Sequence, residues 1–183
     1  MVAAALKRTA PLLALCVIAL GTGPAGVWLD VPFVKQEKDG CGAATIAMVM
    51  QYWEKQQHRT VNTDPVEIQR ALYSRQGHGI YASALEEYFR QHGYQTFAFS
   101  GTWADLQQHL EKGRPLIVAL KPSKLESSLH FVVVAGLDAG HDLALMNDPA
   151  QRKLLSQSRA EFEKEWRATS QWTLLALPSP PSR

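Results

Sequence analysis

The sequence predicts an α+β fold, and three observations carry that reading. Helix-patterned segments come first in the chain and strand-patterned segments later, without the regular strand–helix alternation of a parallel sheet. Residues 41–53 (CGAATIAMVMQYW) are apolar on nearly every side and run too long for an ordinary strand, which makes them a helix buried all round. Residues 130–137 (HFVVVAGL) are strongly β-branched, and the turn Asp138-Ala139-Gly140-His141 leads into a second apolar run over 142–146, the pattern of an antiparallel hairpin.

The remaining elements follow in order. Residues 27–33 (VWLDVPF) read as extended chain. Asp64-Pro65 starts a helix, with Asp as N-cap and Pro at the first helical position, and the pattern runs to about Arg75. Residues 83–92 form a third helix closed by Gly93. A strand over 94–99 precedes a helix capped by Thr102 and ended by Gly113. Residues 115–120 are a strand, 158–166 a helix and 171–177 a last strand.

At the N-terminus, Lys7 and Arg8 precede the apolar run 11–20 (PLLALCVIAL) and the small residues of 21–26. That order reads as a secretory signal peptide over residues 1–25, and the run is too short to span a bilayer. The expectation is a secreted or periplasmic protein with one domain over 27–177, a Pro-rich tail over 178–183 and no stable membrane insertion once the signal is removed. Of 19 Lys+Arg, two lie in the signal, which leaves 17 against 17 Asp+Glu in the mature chain. That balance, without a basic block, gives no footprint for nucleic acid. Cys16 leaves with the signal, and Cys41 stays alone in a compartment that permits disulfides. A lone thiol there is a candidate nucleophile.

The neighbours of Cys41 strengthen that reading. It follows the turn Asp39-Gly40 and opens its helix, where unpaired N–H groups and the helix dipole favour the anionic thiolate. Gly40, Gly42, Ala43 and Ala44 are small and leave room for a substrate backbone. A thiolate needs a base. Of the six histidines, His58, His78, His92, His109 and His141 lie in polar, glycine-flanked, helical or turn settings. Only His130 opens a buried strand. If Leu137 pairs with Asp142 across the turn, Phe131 pairs with Asp148 and His130 with Pro149, so Asp148 and Asn147 both come near His130. Strand alternation lets only one of them face it, and either a carboxylate or an amide can orient an imidazole. Gln36, five positions before Cys41, can donate to an oxyanion alongside the Cys41 N–H. No paired Cys or His stands at metal-ligand spacing, and no cofactor is expected.

The stretches VPFVKQEKDGCGAATIAMVM, HFVVVAGLD and LALMNDPA together resemble the Cys, His and Asp motifs of the double-glycine peptidases, which trim bacteriocin leaders. The resemblance runs from about Val31 to Ala150. It implies a papain-like fold, a peptide or protein substrate, and a site made of Gln36, Cys41, His130 and Asp148. The best-known members of that family are cytosolic domains fused to an export transporter, whereas this chain looks like a stand-alone, secreted relative. The activity implied is thiol-dependent hydrolysis of peptide bonds through an acyl-enzyme. The alternatives are a silent peptide-binding module of the same fold, and acyl transfer to an amine as in transglutaminase-like enzymes.

Overall fold

The computed structural model describes residues 26–58, 63–122 and 129–180, so the segment read as a signal peptide and the last three residues of the tail lie outside it. Among the described residues are five helices and seven strands, and every strand pairing is antiparallel. In chain order they are β1 (Val27–Trp28), α1 (Cys41–Gln57), α2 (Pro65–Leu72), α3 (Ala82–Gln91), β2 (Tyr94–Ser100) and α4 (Trp103–Glu111). Then come β3 (Leu116–Leu120), β4 (His130–Asp138), β5 (Leu143–Asn147), β6 (Leu155–Ser158), α5 (Arg159–Arg167) and β7 (Trp172–Pro178). The expected α+β class is the one observed.

One sheet runs β2-β7-β3-β4-β5-β6. It is covered on both faces, so its central strands β3 and β4 are buried almost throughout. Alternation along the strands sorts the core in two. Ile117, Ala119, Phe131, Val133, Ala135, Leu174 and Ala176 face α1, α2 and α3. Leu116, Val118, Leu120, Val132, Val134 and Met146 face α4 and α5. The short β1 pairs with β4 at Leu137 and Gly136, on the edge β3 uses further along. It comes so close that a Cβ on Gly136 would stand 2.6 Å from the Val27 carbonyl oxygen, which only glycine avoids.

The helices start where the sequence says they should. Asp64 accepts a hydrogen bond from the Val66 N–H at 2.9 Å, with Pro65 at the first position. Thr102 and Asp105 form a reciprocal capping box. Several boundaries differ. The Asp64 helix stops at Leu72, because Tyr73 is extended and Ser74 pairs with Gly79 in a small loop of its own. The return strand of the hairpin starts at Leu143, since Asp142 takes a left-handed conformation (φ 54°) and lengthens the turn. Strand β6 was not foreseen: LSQS is short, three of its four residues are polar, and it carries no β-branched residue. At the C-terminal end, β7 runs to Pro178, which pairs with Tyr94.

Candidate active site

Cys41 is the first residue of α1 and is partly exposed. Its N-cap, Gly40, supplies no side-chain hydrogen bond, and no acidic residue sits in the first turn, so the helix end is open to an anion. The small residues around it serve packing. A Cβ on Gly42 would press against Ile80 and Leu85, and one on Gly40 would meet Gln69 and the Glu37 backbone. The space expected there for a substrate backbone is therefore taken by the protein itself, and α1 is drawn close to its neighbours.

His130 opens β4 with 7% of its surface exposed, and Asp148 follows the end of β5 with 4% exposed. Nε2–H of His130 donates to Asp148 Oδ1 at 2.8 Å. The other ring nitrogen is left for Cys41, which is close enough to favour the charged imidazole. Burial works against a charged imidazole here. The Asp148 hydrogen bond, then the nearness of Cys41 and the charges of both, outweigh it, and His130 is pushed up to about 9. Burial likewise opposes the Asp148 carboxylate. The hydrogen bond and charge of His130, with help from the Ala150 N–H and the Gln151 amide, hold its carboxyl below its ordinary value.

The register that brings the pair together differs from the expected one. Leu137 pairs with Ala144, two residues beyond Asp142, because the turn is longer. Between Val134 and Gly136 the ladder then slips by one, leaving Ala135 as a bulge, so Val133 pairs with Asn147. The expected pairing of His130 with Pro149 would have put Asn147 on the histidine's face. The bulge turns Asp148 there instead, since a one-residue slip exchanges the faces of a strand. Asn147 points to the opposite face. Its Nδ2 donates to the carbonyls of Val31 (3.1 Å) and Pro32 (3.3 Å), and its Oδ1 accepts from the Leu154 N–H.

Gln36 lies on the strap that Asn147 holds, and its backbone N–H donates to the Pro149 carbonyl at 3.0 Å. Its side-chain Oε1 is buried and has no hydrogen-bond partner among the described residues. His130 thus stands hydrogen-bonded to Asp148 with Cys41 close by, and Gln36 is tied through its backbone to the residue next to Asp148. Gln151 was not anticipated. Its Nε2 donates to Asp148 Oδ2 at 2.6 Å, while the Ala150 N–H donates to Oδ1 at 2.9 Å. The Asp-Pro-Ala-Gln string carried a signal for this, because an Asp two residues before a free N–H closes an Asx turn. Asp148 closes that turn and holds His130 at once. Among the described residues no cluster of His, Cys, Asp and Glu could hold a metal ion, and no helix is long and apolar enough to cross a membrane.

The three-layer arrangement, with a cysteine helix on one face of an antiparallel sheet and histidine and aspartate at its strand ends, is that of the papain-like cysteine peptidases. The chain belongs to the Peptidase_C39 like family, whose model matches residues 28–174. Among solved structures it is similar to the peptidase domain of Streptococcus ComA, a bi-functional ABC transporter involved in a quorum-sensing pathway. That match has a TM-score of 0.65 and 19% identity, over 81% of this chain and 98% of that one. A double glycine motif protease from an AMS/PCAT transporter, solved in complex with the leader peptide, matches with a TM-score of 0.64 and 22% identity, over 84% of this chain and 95% of that one. At these identities the likeness is one of fold. No curated protein sequence matches the chain significantly.

Proposed function

We propose that the protein is a thiol peptidase in which Cys41 is the nucleophile, His130 the acid and base, Asp148 the group that orients His130, and Gln36 an oxyanion donor. The observation that carries the proposal is the line from Cys41, at an open helix N-terminus, through His130 to the buried Asp148. The Cys41 thiolate adds to the carbonyl carbon of a peptide bond, and the oxyanion is met by the Cys41 N–H and the Gln36 amide. His130, charged as imidazolium, gives its proton to the leaving amine as the C–N bond breaks. His130 then takes a proton from water, which attacks the thioester, frees the acid and restores the Cys41 thiolate beside the His130 imidazolium. The substrate is a peptide or protein, a class that the leader-peptide complex of the related transporter protease makes natural.

Incubation with a fluorogenic peptide library tests this directly. The unmodified protein should cleave members of the library, and Cys41→Ala should cleave none while keeping its circular dichroism spectrum. Turnover in that variant at the wild-type rate would defeat the proposal. Adding a primary amine separates hydrolysis from acyl transfer by the mass of the product. Gln36→Ala should lose about 100- to 1,000-fold in kcat, the usual cost of one oxyanion donor. Its Cys41 should still react with iodoacetamide at nearly the wild-type rate, because that alkylation forms no oxyanion. If both rates fell together, Gln36 would be supporting the loop and not the oxyanion. We also propose that residues 1–25 direct export, which N-terminal sequencing of the protein recovered from the expressing cell would test.

A further inference from the structure

A cavity of about 530 Å³ opens beside His130 and Asp148, on the side of the sheet that carries α5. Leu120, Met146 and Leu155 give it an apolar lining, and Glu161 and Glu165 give it an acidic wall. The two glutamates stand one turn apart on α5, so they share a face of the helix. The next residues along, Phe162 and Trp166, are fully buried and fix that helix against the sheet. Among the described residues neither glutamate pairs with a lysine or arginine, whereas Glu86, Glu87 and Glu163 all do. Gln157 donates its Nε2 to Glu165 at 3.2 Å, which leaves its Oε1 buried without a partner. No described lysine or arginine lines the cavity. Asp148 already accepts three hydrogen bonds, from His130, Ala150 and Gln151.

We propose that this cavity is a specificity pocket that takes one basic side chain of the peptide substrate, arginine before lysine. The inference rests on the peptidase reading above and adds what that peptidase selects. An aliphatic stem would lie along Leu120, Met146 and Leu155 with its charged head beyond them. A guanidinium has five N–H donors in a planar fork, suited to the two carboxylates and to the orphaned Gln157 oxygen. A lysine ammonium meets the same charge without the fork. A site built to accept hydrogen bonds discriminates against a ligand that lacks the matching donors.

The test uses Cys41→Ala protein, which binds without cutting, and peptides in which a single arginine is moved along both sides of the scissile bond. Each is compared with its citrulline counterpart, which keeps the shape and loses the charge. At one position arginine should bind at least about 10-fold more tightly, the weight of one charge-assisted hydrogen bond. Adding Glu161→Gln and Glu165→Gln should bring that ratio to within about 2-fold, and Glu165→Lys should shift the preference to a glutamate peptide. A thermal melt on each variant confirms the fold. Equal affinity for arginine and citrulline at every position, or a ratio unchanged by the double substitution, overturns the pocket. Hydrolysis by the protein with Cys41 intact is scored separately. Cleavage without a preference for arginine sinks the pocket and leaves the peptidase standing. A preference for arginine in binding, with no cleavage of any peptide, supports the pocket and sinks the peptidase.

Discussion

Asn147 and Asp148 are adjacent, and both are buried with at least two hydrogen bonds, yet substitution should separate them cleanly. Asp148→Ala removes the acceptor of His130 Nε2–H and should lower kcat by roughly 100- to 10,000-fold, the range of general acid–base contributions. Asn147→Ala leaves the His130 pair intact but frees the carbonyls of Val31 and Pro32, so its main cost should be stability, about 1–3 kcal/mol in urea unfolding. Equal losses of turnover in the two variants would contradict this division. The pH response follows from the same pair. His130 is held above its ordinary 6.5, at about 9, so its stabilising contribution is complete below about pH 6.5 and is lost as pH climbs through 9. Asp148 is held below its ordinary 3.8, so its contribution is present above that pH and is lost as the solution becomes more acid. Hydrolysis should therefore fall above about pH 9, where the proton for the leaving amine is gone. Alkylation of Cys41 should not fall with it, because the thiolate remains. In an NMR titration the deprotonation of the His130 imidazolium should move to lower pH in Asp148→Asn and in Cys41→Ala.

At the scale of elements, the hairpin of β4 and β5 shows what a sequence discloses and what it withholds. The β-branched run from His130 and the turn after Asp138 were plain, and so was the nearness of His130 to residues 147–149. Which of Asn147 and Asp148 faces His130 was not, because it depends on two local events with weak signatures. Asp142 enters the left-handed region and adds length to the turn, and Ala135 bulges. The first keeps the faces as they were, and the second exchanges them. Neither residue type announces its role, since alanine is ordinary in a strand and aspartate is common in turns. The caps at Asp64 and Thr102 were legible because side-chain capping is chemistry written in one or two residues. Strand β6 was not, because it exists by pairing with β5 and not by its own propensity. The bulge is also where β1 meets β4, so Gly136→Val should push β1 away. A loss of about 1–3 kcal/mol is expected from the overpacking, read by denaturation. A stability equal to wild type would show that β1 can yield at no cost.

The whole molecule places the proposed nucleophile and base on different layers: Cys41 on the helical layer, and His130 and Asp148 at strand ends of the sheet. Their distance is therefore set by how α1 seats on the sheet, and hence by the core that Ile46, Met50, Phe131 and Val133 share. The opposite layer is anchored by Trp166, which is fully buried, lies tilted against Phe162 and donates its Nε1–H to the Trp172 carbonyl at 3.2 Å. Trp166→Ala should cost about 3–5 kcal/mol in urea unfolding, as large aromatic truncations in a core do. A loss below 1 kcal/mol would mean that α5 is not held as described. Sequence periodicity made both layers visible. It could not show that they close over the two faces of one sheet, because that depends on strand order and not on any single segment. Strand β1 grips β4 near Leu137, seven residues from His130, or roughly 23 Å at the rise of an extended chain. Gly26 therefore leaves the domain at the far end of the strand that begins with the histidine. A protein anchored to a bead or a surface through its N-terminal side would hold its cleft outward, free to meet chains far larger than itself.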